Sequence, residues 1–253
     1  MSGSPSPEPV PLREKVDAFE SLGVEAFTTT RVAGDYGLGE GEPPAEAVAR
    51  WLALWEEMAE RVPMLASARQ VHGTTLLDHG VGAAGWVRHD GADGHLTFVA
   101  GVACAVTVAD CVPVFIAHPS GAVALLHAGW RGTAARIVEK AIARMIDRGL
   151  DAADLAVHLG PAICGRCYEV GPAVFEQLTG WQTIRNRQVD LRALLAEQAR
   201  DSGVRRLSAS PHCTRCDNDR FFSHRAGDAG RQVAVIASAV GRDLPPGDTS
   251  IRA

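Results

Sequence analysis

Three short segments of this chain place imidazole, thiol, carboxylate and guanidinium groups beside glycine and small residues. The first is Arg69-Gln70-Val71-His72-Gly73. A glycine directly after a histidine permits a sharp turn and leaves the imidazole accessible. A surface or satisfied core histidine would read the same way. The second is Val108-Ala109-Asp110-Cys111-Val112-Pro113, where two ionisable side chains interrupt an apolar stretch from Val102 to Ala117. A strand buried on both faces does not stop for Asp-Cys, whereas a strand end opening on a cleft does. The plainer alternative is a buried Cys111 acting as a small hydrophobe, with Asp110 capping a turn. The third is Leu126-His127-Ala128-Gly129-Trp130-Arg131-Gly132. An apolar strand there enters a helix through a loop with two glycines. A helix N-terminus with Arg131 beside it is an anion site for phosphate or carboxylate. An ordinary tight connection carrying a surface arginine is the alternative, and the spacing of a Walker loop is absent.

Together, His72, Cys111 and His127 form a candidate metal triad. Two imidazoles and a thiolate suit Zn²⁺ or Cu²⁺, and three protein ligands leave a fourth position for water, as in catalytic zinc sites. Their separations of 39 and 16 positions match no local zinc pattern, so spacing alone does not bring them together. A rival set is Cys164 with Cys167 and Cys213 with Cys216, two pairs of CxxC type. A zinc ribbon separates such pairs by about 15–20 residues. Here Cys167 and Cys213 lie 46 positions apart, which leaves a structural four-cysteine metal site open.

These residues need elements to position them. Val48, Trp51, Leu52, Trp55, Met58 and Val62 recur every three or four residues, predicting an amphipathic helix of about 18 residues after Pro43-Pro44. Val102–Val108, Pro113–Ala117 and Ala122–Leu126 have strand length and apolarity. Ile137, Val138, Ala141, Ile142, Met145 and Ile146 mark a helix that Thr133 would cap and Gly149 would stop. Leu155–Leu159, Val204–Ala209 and Gln232–Ala237 read as strands, and Leu191–Ala199 as a helix capped by Asp190. The alternation predicts a mixed α/β domain.

The chain has 253 residues, 46% hydrophobic and 22% charged, with a net charge of −5. This fits one soluble globular domain spanning 16–253, preceded by a flexible arm over 1–15 that carries Pro5, Pro7, Pro9 and Pro11. No basic excess points to nucleic acid. No apolar run approaches the ~18 residues of a membrane span, and no signal peptide precedes the domain. Six cysteines are too few for a disulfide scaffold and point to a reducing cytoplasm. Cys104, within an apolar run, reads as core.

The motifs extend beyond the triad. Thr29-Thr30-Arg31, Ala92-Asp93-Gly94, Gly160-Pro161, Tyr168-Glu169-Val170, Cys213-Thr214 and Phe221-Phe222-Ser223-His224-Arg225 accompany the two central segments. With these, the chain resembles the YfiH-like, laccase-domain family, described both as multicopper polyphenol oxidases and as purine nucleoside phosphorylases. The likeness runs from about Ala26 to Ala237. It implies a single α/β (α+β) domain with mixed β-sheets layered between helices, likened to cysteine hydrolases. It implies one metal per chain at His72, Cys111 and His127, zinc with copper as the alternative. It implies phosphorolysis of adenosine, inosine and methylthioadenosine with adenosine deamination, so the partners would be a nucleoside and phosphate, without nucleic acid or membrane, in a monomer or homodimer. In such a site Arg31, Gln70 and Arg131 would hold substrate and phosphate. Cys111, Asp110, Asp93 and Arg131 would carry catalysis, the two aspartates by orienting ligands or moving a proton. The segment after Arg31 departs from the family: it is shorter and lacks the usual asparagine.

Other chemistries stay open at this point. Cys111 and His127 could act without metal as a thiolate–imidazole pair in amide hydrolysis, for example in editing peptidoglycan precursors. The four CxxC cysteines could stabilise an interaction module. Copper-dependent phenol oxidation needs more clustered histidines than one triad. His79, His89, His95, His118, His158 and His212 show no HxH pairing, and His95, His118 and His224 read as surface or supporting residues.

Overall fold

The computed structural model describes residues 10–39 and 44–238. In chain order the strands are β1 (Arg13–Lys15), β2 (Glu25–Thr29), β3 (Met64–Ala68), β4 (Leu76–His79), β5 (Gly85–His89), β6 (Gly94–Thr97), β7 (Val102–Val108), β8 (Val112–Ala117), β9 (Val123–Ala128), β10 (Ala156–Leu159), β11 (Glu169–Val170), β12 (Arg187–Gln188), β13 (Arg206–Ala209) and β14 (Gln232–Ala237). The helices are α1 (Ala45–Met58), α2 (Trp130–Ala134), α3 (Ile137–Asp147), α4 (Pro172–Thr179) and α5 (Leu191–Asp201). Most of the expected N-terminal arm lies outside the described residues. Its last three residues form β1, which pairs antiparallel with β2.

Two six-stranded mixed sheets form the centre, ordered β1-β2-β14-β7-β3-β5 and β13-β10-β8-β9-β6-β4. Side-chain alternation along each strand assigns its two faces. In β7, Cys104, Val106 and Val108 fill the space between the sheets, while Ala103 and Ala105 pack under α1. In β8, Phe115 and Ala117 point between the sheets, and Val112, Val114 and Ile116 pack with α3 and α5. The layers are therefore helix, sheet, sheet, helix. Strands covered on both faces are apolar at nearly every position, which is why β7, β8 and β9 read as continuous hydrophobic runs.

Helix α1 spans 14 residues, shorter than the periodicity predicts. The backbone turns after Met58, and Pro63 disfavours further helix before it; Val62 still packs into the core below α1. Trp51 anchors that layer. It is stacked on Trp86 at 5.0 Å and donates its indole N–H to the Tyr36 carbonyl at 3.0 Å. The helix expected to start at Thr133 is instead two helices. Arg136 takes a left-handed conformation (φ +61°) between them. Thr133 lies inside α2, where its hydroxyl bonds the Gly129 carbonyl at 2.9 Å. The Gln198 side chain donates to the Thr133 carbonyl at 2.9 Å, replacing a helical bond lost at the break. Gly149 does follow α3 in a left-handed conformation, and Asp190 does cap α5 through the Ala193 N–H.

Candidate metal centre and its cleft

The site forms where β7, β8 and β9 end beside the loop after β3. His127 shares the parity of Val123 and Leu125, so its ring points between the sheets, and it is buried. Cys111 sits in the tight connection that carries the chain from β7 in one sheet to β8 in the other. His72 lies after β3 on the exposed side. Ligand atoms of His72, Cys111 and His127 lie within 4.8 Å of one another. The two imidazoles meet edge to face at 4.8 Å.

Asp93 organises this group. Fully buried, its carboxylate accepts the N–H groups of Val71 (3.2 Å), His72 (2.9 Å) and Gly73 (2.7 Å), and the His127 Nδ1 at 2.9 Å. With Nδ1–H given to Asp93, Nε2 is the nitrogen that faces Cys111. Burial alone would raise the Asp93 carboxyl; the His127 and backbone hydrogen bonds outweigh it and hold the group low. The same balance acts on the neighbouring pair. Burial opposes charge on both Cys111 and His127, yet their mutual attraction, helped by Asp93 and His72, lowers the thiol and raises the imidazole. Without metal the pair is thus thiolate and imidazolium; a metal would bind the thiolate directly and would take the place of the proton on His127 Nε2, leaving the Nδ1 proton hydrogen-bonded to Asp93.

Local backbone geometry serves this packing. Among the described residues, three non-glycines have positive φ, and two of them flank the site: His72 (+58°) and Asp110 (+84°). The sharp turn expected at Gly73 therefore takes its left-handed residue at His72 itself. Gly129 is needed for space: a Cβ there would stand 2.9 Å from Cys111 Sγ.

The group opens on a cleft of about 730 Å³. Arg131 lines it with its guanidinium 4.4 Å from the Trp130 ring, and Tyr168, His224 and Arg225 line the same cleft. These last three come from distant loops; Tyr168 and Arg225 had no expected role, and His224 was expected only as a surface or supporting residue. Their signal was present only as segments of the family likeness.

Other expected site residues serve differently. Arg31 is not among the cleft-lining residues. Its guanidinium bonds the Asn218 and Phe221 carbonyls and Asp228, and lies over the Phe222 ring. Gln70 lines the cleft, but its amide is committed at both ends to Thr107, donating at 2.8 Å and accepting at 2.7 Å. Asp110 accepts the Thr214 hydroxyl and the Arg225 N–H, each at 2.6 Å, so both its oxygens hold loops in place. The short helix α2 removes the longer helix N-terminus expected for anion binding, leaving Arg131 as the cation there. His95 is buried rather than at the surface, with Nδ1 2.9 Å from His79 Nε2. Cys164, Cys167, Cys213 and Cys216 form a second group that could hold a metal, also within 4.8 Å.

Known proteins resemble this chain in sequence and fold. The family model described as multi-copper polyphenol oxidoreductase laccase matches residues 33–239. A purine nucleoside phosphorylase of Mycobacterium tuberculosis is 33% identical over 235 residues, covering 85% of this chain and 92% of that protein. Adenosine deaminase RL5, from an unknown prokaryotic organism, is 31% identical over 245 residues, covering 84% and 92%. The crystal structure of YlmD from Geobacillus stearothermophilus superposes with a TM-score of 0.80 at 29% identity, over 88% of this chain and 94% of that one. That of Bacillus licheniformis YfiH gives 0.82 at 23% identity, over 90% and 97%, a likeness of fold. With the matched span, the shared two-sheet architecture and these relatives in agreement, the chain belongs to the multi-copper polyphenol oxidoreductase laccase family.

Proposed function

We propose that this chain is a zinc-dependent purine nucleoside phosphorylase acting in the cleft over His72, Cys111 and His127. The observation that carries this reading is one cleft holding both a His/Cys/His ligand group and the guanidinium of Arg131. The names of the relatives supply the nucleoside. The donor set fits zinc: two imidazole nitrogens and a sulfur, with Asp93 bonded to the far nitrogen of one imidazole, as metal-bound histidines commonly are. When bound, zinc supplies Lewis-acid polarisation of the substrate.

The chain's own residues do the rest. Arg131 binds phosphate through its planar fork. Tyr168 and Trp130 give the base an aromatic wall. Asp93 keeps the proton of His127 on Nδ1, so that Nε2 presents its lone pair. In phosphorolysis a phosphate oxygen forms a bond to C1′ of the nucleoside as the C1′–N9 bond breaks. The electron pair passes to the purine, which takes up a proton, and ribose 1-phosphate leaves. Adenosine deamination is a second reading, favoured by the likeness to RL5 and by a ligand set of three. There water adds at C6 and ammonia leaves. Among the described residues no helix is long and apolar enough to cross a membrane. All six cysteines are unpaired, which fits the reducing cytoplasm.

The test is product identification by mass after incubating zinc-assayed protein with adenosine or inosine, with and without phosphate. Free purine and ribose 1-phosphate that appear only with phosphate support phosphorolysis. Inosine formed from adenosine without phosphate supports deamination. Zinc-replete protein that leaves both nucleosides intact overturns the proposal.

A further inference from the structure

We propose that Cys164, Cys167, Cys213 and Cys216 form a second metal site, a zinc tetrathiolate that ties the loop lining one wall of the cleft to the loop that supports Asp110 from behind. Sequence spacing argues against a zinc ribbon, but the fold removes that objection by bringing the pairs together. Ala162 and Cys213 form a parallel bridge, and the Thr214 N–H bonds the Ala162 carbonyl at 3.2 Å. All four sulfurs then fall within 4.8 Å of one another, and Cys167 Sγ stands 3.5 Å from Cys216 Sγ. A tetrahedral ion with Zn–S near 2.3 Å requires sulfur–sulfur edges of about 3.8 Å. A disulfide requires about 2.05 Å, and all four thiols are free.

The surroundings suit a charged sulfur cluster. The N–H groups of Cys164 and Cys216 point at Cys213 Sγ, at 3.3 and 3.4 Å. Donors aimed at sulfur favour the thiolate. The two knuckles are Cys164-Gly165-Arg166-Cys167 and Cys213-Thr214-Arg215-Cys216, each with arginine directly before its second ligand. Four thiolates around Zn²⁺ leave two negative charges, and two cations stand within the same loops. Arg215 also donates to the Cys167 carbonyl at 3.4 Å. Gly165 lets the first knuckle press on the start of α5, since a Cβ there would meet Asp190 Cβ at 2.9 Å. Zinc is chosen over copper because four thiolates in tetrahedral order suit zinc, a metal without redox chemistry of its own.

The brace reaches the cleft from both knuckles. Tyr168, a cleft wall, directly follows Cys167. Thr214, inside the second knuckle, donates to Asp110, the neighbour of Cys111. The Ile163 N–H bonds the Asp110 carbonyl at 3.1 Å from the side of the first knuckle. A metal here fixes the floor and one wall of the cleft without touching substrate.

The experiment counts metals in the full chain and is independent of any nucleoside reaction. Elemental analysis should find two zinc ions per wild-type chain. It should find one in His127→Ala and one in Cys167→Ser/Cys216→Ser. In the cysteine variant, amide exchange should quicken together over 162–170 and 211–217. Because that variant risks unfolding, the wild type is also reconstituted with Co²⁺. Intense sulfur-to-cobalt charge transfer with the visible bands of tetrahedral four-sulfur ligation is expected. The proposal is overturned by one zinc in the wild type that the cysteine variant keeps, by iron in the second position, by absence of the four-sulfur spectrum, or by two disulfides in the native protein.

Discussion

Asp93→Asn is the most informative single change. The carboxylate accepts four donors: His72 N–H and His127 Nδ1–H at one oxygen, Val71 and Gly73 N–H at the other. An asparagine replaces one oxygen with an NH₂ group that must face donors. With NH₂ toward Val71 and Gly73, two part-buried backbone donors lose their acceptor, at roughly 1–3 kcal/mol each. With NH₂ toward His72 and His127, the imidazole can respond by moving its proton to Nε2, and one backbone donor is left unpaired, about 1–3 kcal/mol. The second arrangement is the cheaper. It places a proton on the nitrogen that must ligate metal. The expected outcome is a folded protein whose melting point falls by a few degrees and whose zinc affinity falls by about ten- to a hundredfold. Zinc partition against a graded chelator series, beside a thermal melt, reads both. An asparagine variant that holds zinc as tightly as the wild type would refute the tautomer argument, since the proton would then never have mattered.

Further changes separate the roles of other residues. Gly129→Ala should expel or distort the metal group, because its Cβ would stand 2.9 Å from Cys111 Sγ, while circular dichroism stays unchanged; undiminished metal content would contradict this. Arg131→Ala should raise the KM for phosphate by about ten- to a hundredfold, the loss of a charge-assisted bond worth about 1.5–3 kcal/mol. Arg31→Ala should leave that KM alone and lower the melting point, since Arg31 is bonded to Asp228 and two carbonyls; a phosphate defect would restore it to the site. Burial holds His79 and His158 down to about 4, and His95 to about 3, so these rings fold neutral. Unfolded imidazoles titrate near 6.5. Below that pH the unfolded chain binds more protons, so stability falls as pH drops from about 6.5 toward 4. His158→Gln should flatten this acid limb in denaturant melts across pH, and an unchanged limb would exclude His158 as a contributor.

The fold was legible where both faces of a strand are buried, because burial writes itself as uninterrupted apolar sequence. The observed limits of β7 and β14 match the ranges read from the apolar pattern. The helix after Trp130 was misjudged, since no local pattern distinguishes one helix from two joined by a left-handed Arg136. At that break the Thr133 carbonyl accepts from Gln198, 65 positions away, a partner that no local pattern announces. The place of Arg31 was hidden for a related reason: a guanidinium beside a motif is a free cation only where no distant carboxylate pairs with it, and Asp228 does.

The sequence by itself determined the chemical inventory: which residues can ligate metal, which can carry charge, and which runs must be buried. Those are properties of side chains and of periodicity, so they survive without coordinates. Only the tertiary structure decided which of these groups meet. His72, Cys111 and His127 are brought together by a crossing between two sheets and by one buried carboxylate. The four cysteines are brought together by a bridge between Ala162 and Cys213. Proximity between residues tens of positions apart comes from packing, and packing is a property of the whole chain.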